Sequence, residues 1–252
     1  MITDPIFYLV AVPAMLIMGM SKGGFGGSAG ALAVPMMALV ADPLTAAAIA
    51  LPVLLLMDAV AVWKFRRSWS RQHLAIMLPA ALPGIAAAAL LMGQLPVDAM
   101  RVLLGGLALF FCLHHWFWNS WSGGRGGKPG RRAGYFWGMV AGFTSTQIHA
   151  GEVPASIYLL PQRLDKMRLM GTNALFFATV NLLKLLPYSL LGQFDRTNLG
   201  TSLLLLPLAP LPLGVLLGHR LLRLCSESLI YRILYGFLAV AGGKLIWDGL
   251  SG

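Results

Sequence analysis

The sequence predicts an all-α polytopic membrane protein made of two inverted repeats, each a re-entrant, broken helical hairpin followed by three transmembrane helices. Three observations predict it: a composition too apolar for a soluble domain, basic residues gathered into four clusters, and a glycine-rich break in an apolar run that returns in weaker form halfway along. Of 252 residues, 58% are hydrophobic and 11% charged, and the mean hydropathy is +0.74. Such a chain belongs in lipid. At about 20 residues per span, the length admits roughly eight helical segments and no separate soluble domain. The first residues carry Asp4 instead of a basic leader, and no cleavable signal is expected. Cys112 and Cys225 are too few for a disulfide framework or a metal cage, so no metal or other cofactor is expected.

A net charge of +10 could mean a nucleic-acid partner, but the distribution excludes one. Lys64, Arg66, Arg67 and Arg71 form one cluster, Arg125, Lys128, Arg131 and Arg132 a second, Arg163, Lys166 and Arg168 a third, and Arg220 with Arg223 a fourth. That is the pattern of cytoplasmic loops. Asp4, Asp42, Asp98, Asp195 and Asp248 fall between or beyond them and mark the outer face, which places both termini in the periplasm of a bacterial inner-membrane protein.

With those loops inside, the elements follow in order. The first repeat, 1–122, holds a hairpin over 5–40 and spans over 43–63, 74–92 and 98–118. A basic, glycine-rich linker fills 123–133, preceded by the interfacial aromatics Trp116, Trp118 and Trp121. The second repeat, 134–252, opens with a segment, 134–160, that starts and ends at inside loops. It must therefore enter the membrane and return, with its break expected around Thr144 to Gly151. Spans over 169–191, 199–218 and 229–248 complete it. One hairpin and three spans per half give an odd number of crossings, hence opposite orientation of the halves. The sequence supports a repeat at an offset of 119, where Gly19, Met20, Gly23, Ala31, Val34 and Pro35 match Gly138, Met139, Gly142, Ala150, Val153 and Pro154.

The run Lys22-Gly-Gly-Phe-Gly-Gly-Ser28 with Val34-Pro35, and in the second half Ala141-Gly-Phe-Thr-Ser145, His149-Ala-Gly151, Tyr158-Leu-Leu-Pro-Gln-Arg163, Gly171-Thr172, Asn181-Leu-Leu-Lys-Leu-Leu-Pro-Tyr188 and Leu191-Gly-Gln-Phe194, resemble the sulfite exporter TauE/SafE family. The resemblance covers essentially the whole chain. It implies a bacterial inner-membrane permease for small sulfur-containing or organic anions, often exported. One branch of the family reads His-Ala-Gly-Gly-Pro-Pro at the second break, where this chain has Glu152-Val153 in place of the second glycine and first proline.

The two breaks are expected to meet near the bilayer midplane. Each tip offers one helix C-terminus and one N-terminus, so dipoles alone do not choose the sign of the solute. The side chains do. Backbone N–H groups along Gly23, Gly24, Gly26 and Gly27 form a candidate anion nest, Ser21 and Ser28 offer hydroxyls, and Lys22 supplies a charge. Thr144, Ser145, Thr146, Gln147 and His149 add polar groups from the second tip, and Asn173 and Asn181, eight residues apart, share a helix face that would line the path. Close helix packing explains the glycines equally well but not Lys22. Glu152 and His149 are the candidate coupling groups, since either can carry a proton. A Lys22–Glu152 ion pair that merely holds the tips together stands beside that reading. Asp58 is a further intramembrane acid that either pairs with a cation or lines a vestibule, and Lys184 either lines the exit or snorkels.

The substrate expected is thus a small anionic solute, the surroundings a lipid bilayer, and a second copy of the chain, as a homodimer, an expected partner. No catalytic residue is assigned. Two alternatives stay open: a proton-linked cation or metal permease centred on His149, Glu152 and Asp58, and an intramembrane hydrolase with a Ser28/His149 dyad, for which Gly26-x-Ser28-x-Gly30 is the formal motif.

Overall fold

In a computed structural model, the structure describes residues 2–23, 28–118, 128–206 and 227–251. No strand occurs among them, and the helices run α1 (Pro5–Gly23), α2 (Ala33–Ala38), α3 (Pro43–Phe65), α4 (Arg71–Gln94), α5 (Val97–Leu113), α6 (Arg131–Ile148), α7 (Glu152–Leu159), α8 (Lys166–Leu190), α9 (Arg196–Leu205) and α10 (Glu227–Ser251). Of these, α3, α4 and α8 are, by length and composition, able to cross a membrane. Large apolar side chains such as Leu9, Leu90, Leu186, Val240 and Trp247 point outward. Lipid is the solvent that accepts such a surface.

The helix starts are written in aspartates. Asp42 accepts from the N–H groups of Leu44 and Thr45 at 2.9 and 3.0 Å, with Pro43 in the first turn. Asp165 and Asp195 cap α8 and α9 in the same way. These short carboxylates satisfy N–H donors that the helix cannot.

Each half of the chain contains one helix that breaks. Helix α1 stops at Gly23, and the chain resumes as a 3₁₀ turn over Ser28–Leu32 before the short α2. In the second half α6 stops at Ile148, where His149 takes a left-handed conformation (φ 55°), and α7 starts at Glu152. The interruption is therefore narrower than the expected Thr144 to Gly151. Thr144 and Thr146 donate their hydroxyls to the carbonyls of Val140 and Gly142 one turn back, so the polar run stays helical.

The remaining expected boundaries compare as follows. Helix α5 gives way to a π-helical turn at His114–Trp118, and the linker's last residues, from Arg131, already belong to α6. Helix α9 covers only the start of the 199–218 segment, and 207–226, like 119–127 with Trp121, lies outside the described residues.

Glycine sets how near the helices come. A Cβ on Gly142 would sit 2.4 Å from the carbonyl oxygen of Ala81, and one on Gly84 would sit 2.0 Å from that of Met139, so α4 and α6 touch backbone to backbone. Gly138 and Gly142 thus serve helix packing. Among the described residues the largest apolar core is built mainly on α1, α2, α3, α5 and α10, a second joins α4, α6, α7 and α8 around Tyr158, Phe176 and Phe177, and a third, smaller one sets Ala61 and Phe65 of α3 against Ala174 of α8. Asp58 on α3 and Asn181 and Lys184 on α8 are among the buried polar groups.

Candidate functional site

Lys22 comes from the last turn of α1, just before the glycine break, and its ammonium is buried with the side chain 10% exposed. It forms an ion pair with Asp58 of α3, lies 3.9 Å from Glu152 Oε1 at the start of α7, and stands 5.8 Å from the centre of the Phe177 ring. Asp58 is 2% exposed and spends its second oxygen on the amide of Asn181 from α8. Four helices, α1, α3, α7 and α8, thus converge on one cation. Buried charge of this kind persists only when paired and hydrogen-bonded, and in a membrane protein it marks function by default.

Beside it lies a cavity of about 60 Å³ lined by Ser21, Lys22, Asp58, Glu152, Asn173 and Phe177, among others. It has room for roughly four water-sized groups, the scale of a small oxyanion. A second, smaller cavity of about 10 Å³ continues the polar zone between Lys22, Gly30, Ser145, His149, Glu152 and Asn181. Three buried atoms around the two cavities have no hydrogen-bond partner among the described residues: Ser21 Oγ, Asn173 Oδ1 and Asn181 Oδ1. Unsatisfied polar atoms lining a cavity are waiting for a ligand or water. Gly30 faces this zone, where a Cβ would make ordinary van der Waals contact with Ser21 Oγ at 3.5 Å and Glu152 Oε2 at 3.8 Å.

Seven of the residues expected at the site meet here, and the others do not or lie outside the described residues. Ser21, Lys22, Ser145, His149, Glu152, Asn173 and Asn181 line one cavity or the other. Thr144 turns its hydroxyl into its own helix, and Gln147 donates across to the carbonyl of Ala88 on α4. Neither lines a cavity. Gly23 closes α1; Gly24, Gly26 and Gly27 lie outside the described residues, as does the side chain of Ser28. The backbone anion nest falls there too.

His149 is held on every side. Its Nε2 hydrogen goes to the carbonyl of Ala47 at 2.9 Å, so Nδ1 is left to accept from Lys184 Nζ at 2.8 Å, and Tyr188 stacks on the ring at 6.4 Å. No ring nitrogen is open to a metal or to a serine hydroxyl. That removes the imidazole from the metal permease and from the Ser28/His149 dyad. No cluster of three metal-ligating side chains occurs among the described residues.

Two residues were underrated by sequence reasoning. Asp58, expected to pair with an unnamed cation or to line a vestibule, is the direct partner of Lys22. Lys184 neither lines a cavity nor snorkels: it is fully buried and donates to the carbonyl and hydroxyl of Ser145 as well as to His149. The available signal was a charge inside an apolar run.

The fold and the buried site together define an all-α integral membrane protein with an ionisable centre enclosed by its helices. The chain belongs to the sulfite exporter TauE/SafE family, whose model matches residues 11–245. Comparison with curated proteins and with solved structures found no match.

Proposed function

We propose that the protein is a transporter, with export the favoured direction, for small sulfur-containing or organic anions such as sulfite or organosulfonates. The observation that carries this reading is the Lys22 ammonium, buried at the wall of a small cavity between a close carboxylate, Asp58, and a looser one, Glu152. An anion of carboxylate size takes the place of Glu152 beside Lys22, with Ser21 and Asn173 as polar neighbours in the cavity. A proton on Glu152 removes the competing charge, so anion movement is coupled to protons. Family membership supports a transporter over an enzyme. Alternating access then comes from one half of the chain rocking against the other, in a bacterial inner membrane with both termini periplasmic.

The test is uptake and efflux of labelled sulfite, a small sulfonate and a divalent metal in proteoliposomes, with and without a pH gradient. Wild type is compared with Lys22→Ala and Glu152→Gln. The expected result is anion flux that needs Lys22 and loses its pH dependence in Glu152→Gln. Metal flux that survives loss of Lys22, or the absence of flux for every anion, overturns the reading.

A further inference from the structure

Lys184 is a buried amine with no carboxylate of the described residues within ion-pair distance, and the anion site above leaves it unused. Its three neighbours are the carbonyl of Ser145 at 2.8 Å, the hydroxyl of Ser145 at 3.1 Å and Nδ1 of His149 at 2.8 Å. These heavy atoms suit two charge states equally. As an ammonium, Lys184 donates three hydrogens to three acceptors. As a neutral amine it donates two, to the carbonyl and to Nδ1, and its lone pair accepts from the Ser145 hydroxyl, whose rotor simply turns round. The proton also fits on His149, because Nδ1 lies 3.1 Å from the same Ser145 carbonyl and would donate to it while Nε2 keeps its bond to Ala47. Most buried ionisable groups are tied to one state by their partners, as Lys22 is by Asp58. This one is not.

The smaller cavity supplies a route. It has about the volume of a single water and is lined by both Glu152 and Ser145. We propose that Lys184 and His149 together hold one exchangeable proton, and that this pair is the second station of a proton path beginning at Glu152, with the Ser145 hydroxyl as the link. A proton leaves the Glu152 carboxyl for the intervening water, the water passes one to Ser145 Oγ, and the hydroxyl's own hydrogen moves to Lys184 Nζ. Glu152 becomes a carboxylate, Lys184 an ammonium, and no other bond changes. The charged and titratable groups facing the pair are Glu152 from α7, Asp58 from α3, Lys22 from α1 and Tyr188 from α8 itself. Tyr188 donates its hydroxyl to the carbonyl of Thr146. Gathering the charge on Lys184 leaves Glu152 as a carboxylate again and drives the anion off Lys22. The inference rests on the anion-carrier reading.

Two transport modes separate the roles. Anion-for-anion exchange needs the site but no net proton transfer, whereas accumulation driven by a pH gradient needs the whole path. The full chain is reconstituted with labelled methanesulfonate and sulfite as probes, and wild type is compared with Lys184→Gln, Lys184→Arg and Ser145→Ala. Gln cannot take the proton and Arg cannot release it, while Ser145→Ala breaks the link by deleting one atom. The expected result is exchange within about threefold of wild type in the two Lys184 variants, and gradient-driven accumulation lowered about tenfold or more in all three. Any of the three that keeps wild-type accumulation, or Lys184 variants that lose exchange and accumulation in parallel, overturns the relay and leaves the anion carrier standing. A wild type that exchanges neither anion overturns both.

Discussion

At the scale of single residues, charge pairing dominates. Lys22 and Asp58 are buried and bonded to each other, so removing one strands the other in a medium that cannot solvate it. Lys22→Ala is expected to lower stability by roughly 3–5 kcal/mol, and the double variant Lys22→Ala/Asp58→Ala to recover much of that loss. Thermal denaturation of the purified protein in detergent measures both, and a double variant no better than the single one would show that the pair is not the source of the loss. The same measurement bears on transport, because a Lys22 variant must be shown to be folded before its flux is read. Capping is a smaller residue-scale effect. Asp42→Ala removes two hydrogen bonds at the start of α3 and should cost about 1 kcal/mol.

Between elements, glycine decides what can touch. The contact of α4 with α6 has no space for a methyl group at Gly142 or Gly84, and the obstacle in each case is backbone. Gly142→Ala is expected to force the helices apart at a cost of about 1–3 kcal/mol. Gly106 on α5 makes the opposite case, since nothing lies within 4 Å of a Cβ built there. Gly106→Ala should be neutral or stabilising by up to about 1 kcal/mol. Melting temperatures that move in opposite directions check the pair. The element scale also explains why only one turn of chain unwinds at the second break. Threonine hydroxyls that bond back to Val140 and Gly142 keep α6 intact until Ile148, and the left-handed His149 then ends it.

For the whole molecule, the inverted arrangement of the halves is a proposal with a direct test. Reporters placed after Gly252 and within the 123–130 linker are expected on opposite sides of the membrane, the C-terminus outside and the linker inside. Finding both in the cytoplasm would remove the inverted repeat, though not the buried site.

Composition, charge clustering and the glycine-rich breaks were enough to determine a helical membrane protein and to single out Lys22, and the motifs around the breaks carried the resemblance to the family. Each is a one-dimensional property: hydropathy, loop charge and helix-breaking residues act where they stand in the chain. The sequence also marked Glu152 and His149 as titratable groups in a broken helix. Only the tertiary structure decided their partners. Asp58 lies 36 residues from Lys22, and Lys184 lies 35 from His149, distances that no helical period connects. Thr144 and Gln147 read as tip residues along the chain, yet packing of α6 against α4 turns one into its own helix and the other toward Ala88. Which polar groups share a cavity depends on how helices cross, and crossing is set by the close approach of backbones whose side chains have been removed.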